Sequence, residues 1–152
     1  MTEKVIALLN DGRSRELTAL SQYMAQHYEL ANEGMVKVAS KLKAIAIEEM
    51  KHAELLAERI LFLNGEPTYK PDATVKKGEE IAALLQTDID LEAGAIKTYN
   101  DAAVICAAER DQISKQLFES LLADEEEHLD YFQKTLQHIE KLGAAYLATL
   151  ME

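Results

Sequence analysis

Apolar and polar positions fall into four long helical patterns along the chain. The first runs from about Glu3 to Asn32 and stops at Gly34. The second runs from about Met35 to Leu63 and stops at "NGEP". The third covers about Lys76 to Ala107, and the fourth about Asp111 to Lys141, stopping at Gly143. A tail, "AAYLATLM", is short enough for a fifth small helix. Gly34, Gly65 and Gly143 suit the left-handed position that closes a helix. Gly12 and Gly94 lie inside helices, where each costs about 1 kcal/mol, so a close helix contact or a small pocket is expected at each.

The first two helices are joined by a short turn, and so are the third and fourth near Glu109–Asp111, which predicts two antiparallel hairpins. The middle connection, "GEPTYKPDAT", is longer and carries both prolines of the chain, Pro67 and Pro71. Ten extended residues reach about 33 Å, enough to run along a bundle from one end toward the other. The expected fold is all-α: a four-helix bundle with one long crossover and a short C-terminal helix.

Composition adds limits. The 152 residues suffice for one domain with a sizeable core and are too few for two comfortable ones. With 48% hydrophobic residues the chain is not disordered. The formal charge of −11 makes nucleic acid and anionic membranes poor partners and a cation a better one. No stretch approaches the roughly 20 apolar residues of a membrane span, and residues 1–15 carry charges throughout, unlike a signal peptide. Cys106 is the only cysteine and sits in the apolar run "AAVICAA". It reads as a buried reduced thiol, which suits a cytoplasmic protein.

The chemistry begins in "IAIEEMKHAELL", where Glu49 and His52 stand three residues apart and share a helix face. Shifting both by 76 residues lands on Glu125 and His128 in "ADEEEHLDYF". The same shift carries Glu16 to Glu92 and Tyr23 to Tyr99, so each hairpin holds E-x6-Y on one helix and E-x-x-H on the next. Each glutamate pair is equally far from its own turn, which puts all six residues at one height. Four carboxylates buried together are forbidding without a cation; two divalent ions supply the missing charge, and oxygen with imidazole suits iron, manganese or zinc. One Glu from each of two helices with Glu-x-x-His from each of the others is the di-iron carboxylate pattern of helical bundles. A single E-x-x-H is a weak signal; two of them, with two further glutamates at a shared shift, are a strong one. A solvated acidic face is the competing reading, and the apolar neighbours of Glu16 and Glu92 speak against it.

On these residues the chain resembles the bacterioferritins, from "VIALLN" to "KLGAAYLATL", most clearly in "ELTALSQYMAQHYEL", "IAIEEMKHAELLAERILFLNGEPT", "DIDLEAGAIKTYN" and "DEEEHLDYF". The resemblance implies one ferritin-like domain over residues 1–152. It implies di-iron ligands at Glu16, Glu49, His52, Glu92, Glu125 and His128, with Glu49 and Glu125 bridging both irons and Glu16 and Glu92 terminal. These are also the catalytic residues of a ferroxidase that takes electrons from Fe²⁺ to oxygen or peroxide. Met50 points about 100° away from the metal face. On the residues alone it is an ordinary apolar interface contact. In the family an outward methionine from each of two subunits ligates one shared haem, here of b type or iron-coproporphyrin, with Leu17, Leu20, Met24 and Ile47 as pocket candidates. The same stripe would serve a plain dimer interface. The resemblance also implies a hollow homo-oligomeric shell of twenty-four subunits, or twelve as in smaller relatives, and a small ferredoxin-like or rubredoxin-like electron donor.

Well-studied relatives carry an inner-surface histidine one turn before the acidic residue that precedes the bridging glutamate. Ala44 and Glu48 hold the two positions here, which argues against an extra iron site feeding the cavity. Glu48, Glu126 and Glu127 either attract iron or form a solvated face. Tyr23 and Tyr99 either serve the glutamates, by hydrogen bond or electron donation, or pack as ordinary core tyrosines. His27 and His138 have no partner at ligand spacing and are read as structural or exposed. Two other functions compete with iron storage. A peroxide-scavenging di-iron protein of rubrerythrin type usually adds a four-cysteine iron domain, which one cysteine excludes on this chain. The other is a non-catalytic helical assembly stabilised by metal.

Overall fold

The computed structural model describes residues 2–151. Five helices follow one another: α1 (Thr2–Asn32), α2 (Val36–Phe62), α3 (Ile81–Ala108), α4 (Gln112–Leu142) and the short α5 (Ala144–Thr149). There is no strand among the described residues. Helices α1 and α2 form one hairpin and α3 and α4 the other; α1 also packs on α3, and α2 on α4, so the order around the bundle is α1–α2–α4–α3. None of the helices is long and apolar enough to cross a membrane.

The helix ends show why the hairpins turn where they do. At Gly34 (φ +84) the chain closes α1 with the Met35 N–H donating to the Leu30 carbonyl and the Gly34 N–H to Ala31. The end of α2 uses the same pair of bonds, but the left-handed residue is Asn64 (φ +64), not the expected Gly65. Gly65 is needed for a different reason: a Cβ there would lie 2.8 Å from Ile6 Cγ2. Arg110 (φ +61) closes α3 in the same way without any glycine. Asp111 then caps α4 by accepting from the Ser114 N–H, and Arg59 of α2 binds Asp111 at 2.8 Å and Ser114 at 2.9 Å. Gly143 has φ +56 with ψ −133, which turns the chain directly from α4 into α5. Leu150, beyond α5, is buried, and its carbonyl accepts from the Lys37 N–H at the open start of α2.

The third helix starts at Ile81 rather than near Lys76. Residues 63–80 form an extended strap laid along α1, and a polar stripe on α1 holds it. Asn10 binds Glu66 and Thr68, and Arg13 donates to Thr68. Thr18 engages Asp72 and Ala73. Gln22 makes two bonds to the Lys76 backbone, and Glu29 accepts from the Gly78 N–H. These contacts between residues about fifty apart in sequence override the helical preference of "KKGEE".

Two apolar layers lie above and below a polar middle. One contains Leu30, Val38, Leu42, Ile45, Leu84, Leu85, Phe132 and Leu150. The other contains Val5, Leu9, Leu56, Ile60, Cys106, Phe118 and Leu121. Cys106 is a free buried thiol, pushed up to about 11 chiefly by burial. Gly12 is a close contact as expected: a Cβ there would lie 3.2 Å from Tyr99 Cε1.

Candidate metal centre

Between the two apolar layers the six predicted residues meet. Glu16 comes from α1, Glu49 and His52 from α2, Glu92 from α3, and Glu125 and His128 from α4. All six are buried, with Glu16, Glu92 and Glu125 1% exposed and Glu49 fully covered, which excludes a solvated acidic face. Their donor atoms form two overlapping sets, Glu16–Glu49–His52–Glu125 and Glu49–Glu92–Glu125–His128, each with all atoms within 4.8 Å of one another. Glu49 and Glu125 belong to both sets, the arrangement two bridging carboxylates require. His52 Nδ1 is 3.1 Å from Glu49, 3.2 Å from Glu125 and 3.4 Å from Glu16. His128 Nδ1 is 3.5 Å from Glu49 and Glu125 and 3.6 Å from Glu92.

Proximity here is not hydrogen bonding. Glu16 Oε2, both Glu49 oxygens, Glu92 Oε2, Glu125 Oε1 and the Nδ1 atoms of both histidines are buried without a hydrogen-bond partner. Seven orphaned donor atoms converging from four helices fit a pair of cations, and no other feature of the interior satisfies them.

The second oxygens of Glu16 and Glu92 and the outer nitrogens of both histidines are engaged. The Tyr99 hydroxyl donates to Glu16 at 2.6 Å and the Tyr23 hydroxyl to Glu92 at 2.6 Å, one on each side of the internal repeat. Both rings are fully buried and pack on phenylalanines, Tyr23 on Phe132 and Tyr99 on Phe118. The two tyrosines therefore hold the terminal glutamates. The outer nitrogens of the histidines reach across the bundle: His52 Nε2 meets Asp124 of α4 at 2.8 Å, and His128 Nε2 meets Glu48 of α2. Carboxylates behind metal-facing imidazoles set the tautomer and ring orientation. Asp124 escaped the sequence reading, although the shift of 76 carries Glu48 onto it. Glu126 and Glu127 are exposed and take no part.

Burial is the largest influence on every ionisable group at the centre. It pushes the Glu16, Glu49 and Glu92 carboxyls up, and the charges of neighbouring glutamates push them further. Burial alone would lower both imidazoles, but the carboxylates around them win. His128 is pushed up to about 10, and His52 is held far above the histidine range. Glu125 is the exception among the carboxyls: contacts with His128 and His52 outweigh burial and hold it below the usual range. Without metal, protons neutralise this cluster; cations entering it must displace them.

Met50 emerges on the outer face of α2, 42% exposed. It borders an apolar hollow of about 190 Å³ with Leu20, Met24, Ala46, Ile47 and the Lys43 stem; Leu17 does not line it. His27 accepts from or donates to nothing at the centre; its Nδ1 binds the Ala39 carbonyl. His138 is exposed and packs on Tyr146. Neither belongs to the site.

A bundle with this donor set defines the ferritin-like class, and the sequence model of the ferritin-like domain matches residues 6–142. The bacterioferritin of Desulfovibrio desulfuricans is 40% identical over 147 residues, covering 97% of this chain and 82% of that one. Its crystal structure, solved with its diiron site in different catalytic states, superposes with a TM-score of 0.96 at 39% identity, covering 98% and 87% of the two chains. The Mycobacterium tuberculosis bacterioferritin gives 0.94 at 33% identity, covering 98% and 94%. The chain belongs to the bacterioferritin family.

Proposed function

We propose that residues 1–152 act as one ferritin-like domain whose centre oxidises Fe²⁺ and whose homo-oligomeric shell stores the product. Glu49 and Glu125 bridge two ferrous ions; Glu16 with His52, and Glu92 with His128, complete the two positions. Two Fe²⁺ supply +4 against four carboxylates. Each gives up one electron. Hydrogen peroxide takes both electrons with two protons and leaves as two waters, or dioxygen takes them with two protons and leaves as hydrogen peroxide. The role of this chain is to hold the ions at fixed separation, exclude competing ligands and keep both imidazoles oriented through Asp124 and Glu48.

The observation that carries this reading is the set of seven buried, unpartnered donor atoms. A haem shared by two subunits fits the outer face, where the Met50 hollow is apolar and too small on one chain to enclose a porphyrin by itself. Bound there, it would carry electrons inward to reduce stored iron. The shell is expected to hold twenty-four subunits, or twelve, to draw on a small ferredoxin-like or rubredoxin-like donor, and to work in the cytoplasm.

Anaerobic titration with Co²⁺ should saturate at two ions per chain. Fe²⁺ added in air should keep producing ferric absorbance well beyond two irons per chain. Saturation without turnover would favour a structural metal site and sink the storage reading. In Met50→Ala the haem bands should vanish while ferroxidation persists; haem retained in that variant would overturn the ligand assignment.

A further inference from the structure

The two sides of the bundle that flank the centre differ in chemistry. On the α2–α4 side stand the histidines, each backed by a half-exposed carboxylate, Glu48 or Asp124. On the α1–α3 side a narrow mouth descends beside the strap to the four glutamates. Ala19, Leu91 and Ala95 wall it, and Arg15 and Asp72 stand at its rim. It leaves about 10 Å³ of room, the space of one water.

Arg15 is the unusual member. Its Nε is buried without a hydrogen-bond partner, and among the described residues it forms no ion pair. Its guanidinium reaches from α1 across to α3 and lies over Gly94, where a Cβ would sit 3.0 Å from Arg15 Nη1. A side chain at Gly94 would push the tip of the guanidinium aside. The rim's one carboxylate, Asp72, is engaged by the Thr18 hydroxyl.

Size and charge exclude the same visitor. A divalent cation arrives with a shell of waters, which a one-water passage does not admit, and a guanidinium without a direct ion-pair partner stands beside the path and repels it. A small neutral molecule meets neither obstacle. We propose that the α1–α3 mouth is the entrance for the oxidant, a small neutral species such as dioxygen or hydrogen peroxide, and that Arg15 seated on Gly94 bars Fe²⁺ from it. The cation enters instead from the Glu48–Asp124 side. This inference rests on the ferroxidase reading above.

Two variants of the assembled protein test it. Gly94→Leu, a better helix former, drives a bulky side chain against Arg15 at the rim and crowds the mouth, and Arg15→Glu reverses the charge at the rim. Two rates are read by stopped flow: anaerobic Co²⁺ loading of the metal-free protein, and the reaction of the ferrous-loaded protein with hydrogen peroxide. Gly94→Leu should slow the peroxide reaction by about tenfold or more and leave Co²⁺ loading unchanged. Arg15→Glu removes the barring charge and should speed Co²⁺ loading by opening the mouth to the cation. Unchanged loading in Arg15→Glu, slower loading in Gly94→Leu, or an unaltered peroxide reaction in Gly94→Leu would each overturn the proposal. The wild-type protein reports separately on the reading beneath it: failure to load Co²⁺ or to oxidise Fe²⁺ would bring down the metal centre itself, and the entrance with it.

Discussion

Replacing Glu49 with glutamine should make the metal-free protein more stable and the metal-loaded protein less so. Glu49 is fully buried, and neither carboxylate oxygen has a hydrogen-bond partner. Burial first, then the charges of Glu16, Glu125 and Glu92, push its carboxyl well above the ordinary range. Holding a carboxylate charge in this buried site beside other carboxylates costs more than holding a neutral amide of the same shape, by about 1–3 kcal/mol. Glutamine keeps the shape and removes the charge, so the metal-free variant should gain about that much. For a chain of this size that gain is a rise in Tm of roughly 2–12 °C. The pH dependence has a definite sign. A carboxyl whose folded pKa is raised binds its proton more tightly when folded, so its favourable contribution is present at low pH and lost as pH rises above the unfolded value. The gap between variant and wild type should therefore widen from pH 5 to pH 8. Metal reverses the order. At a thousandfold excess over Kd, a bound ion stabilises the fold by about 4 kcal/mol, and the variant, lacking a bridge to both positions, should forgo much of it. Calorimetric melts of the assembled protein with chelator and with saturating Co²⁺, at the same scan rate, measure both arms. If the variant melts below wild type in chelator at pH 8, or if Co²⁺ stabilises both equally, the charge-frustration argument is wrong.

Asp88, one turn before Glu92, is fully buried with both oxygens unpartnered and its carboxyl pushed up by burial, only partly offset by the nearby Gln26 amide. Asp88→Asn should stabilise the protein by about 1–3 kcal/mol at pH 8 and by little near pH 4, where the wild-type carboxyl already holds its proton; a loss of stability at pH 8 in thermal melts would contradict this. Gly12→Val should push Tyr99 off Glu16, since even a Cβ reaches to 3.2 Å from the Tyr99 ring and the hydroxyl lies 3.2 Å from the Gly12 carbonyl. It should cost about 1–3 kcal/mol by overpacking and weaken Co²⁺ binding by about tenfold or more. Unchanged Co²⁺ affinity would show that the tyrosine does not hold the glutamate.

The helices and the six-residue cluster were legible in the sequence because both depend on short-range periodicity. Spacing of three places Glu49 with His52, and Glu125 with His128, on one face of their helices, and the shift of 76 sets the two hairpins at one height. Burial then follows, because only a bundle interior offers those faces a common place to meet. Features that join distant residues were not legible. "KKGEE" carries a helical preference, yet Gln22 and Glu29 of α1 hold Lys76 and Gly78 in the strap, and no local pattern announces a bond across fifty residues. Asn64 rather than Gly65 takes the left-handed turn, because Ile6 of another helix leaves Gly65 no room for a side chain. Asp124 finds His52, and Arg15 finds Gly94, only once the helices are packed. Periodicity along one helix determines which face a residue occupies. Which residue of another helix it meets is decided by the packing and register of the assembled bundle, and no single segment carries that information.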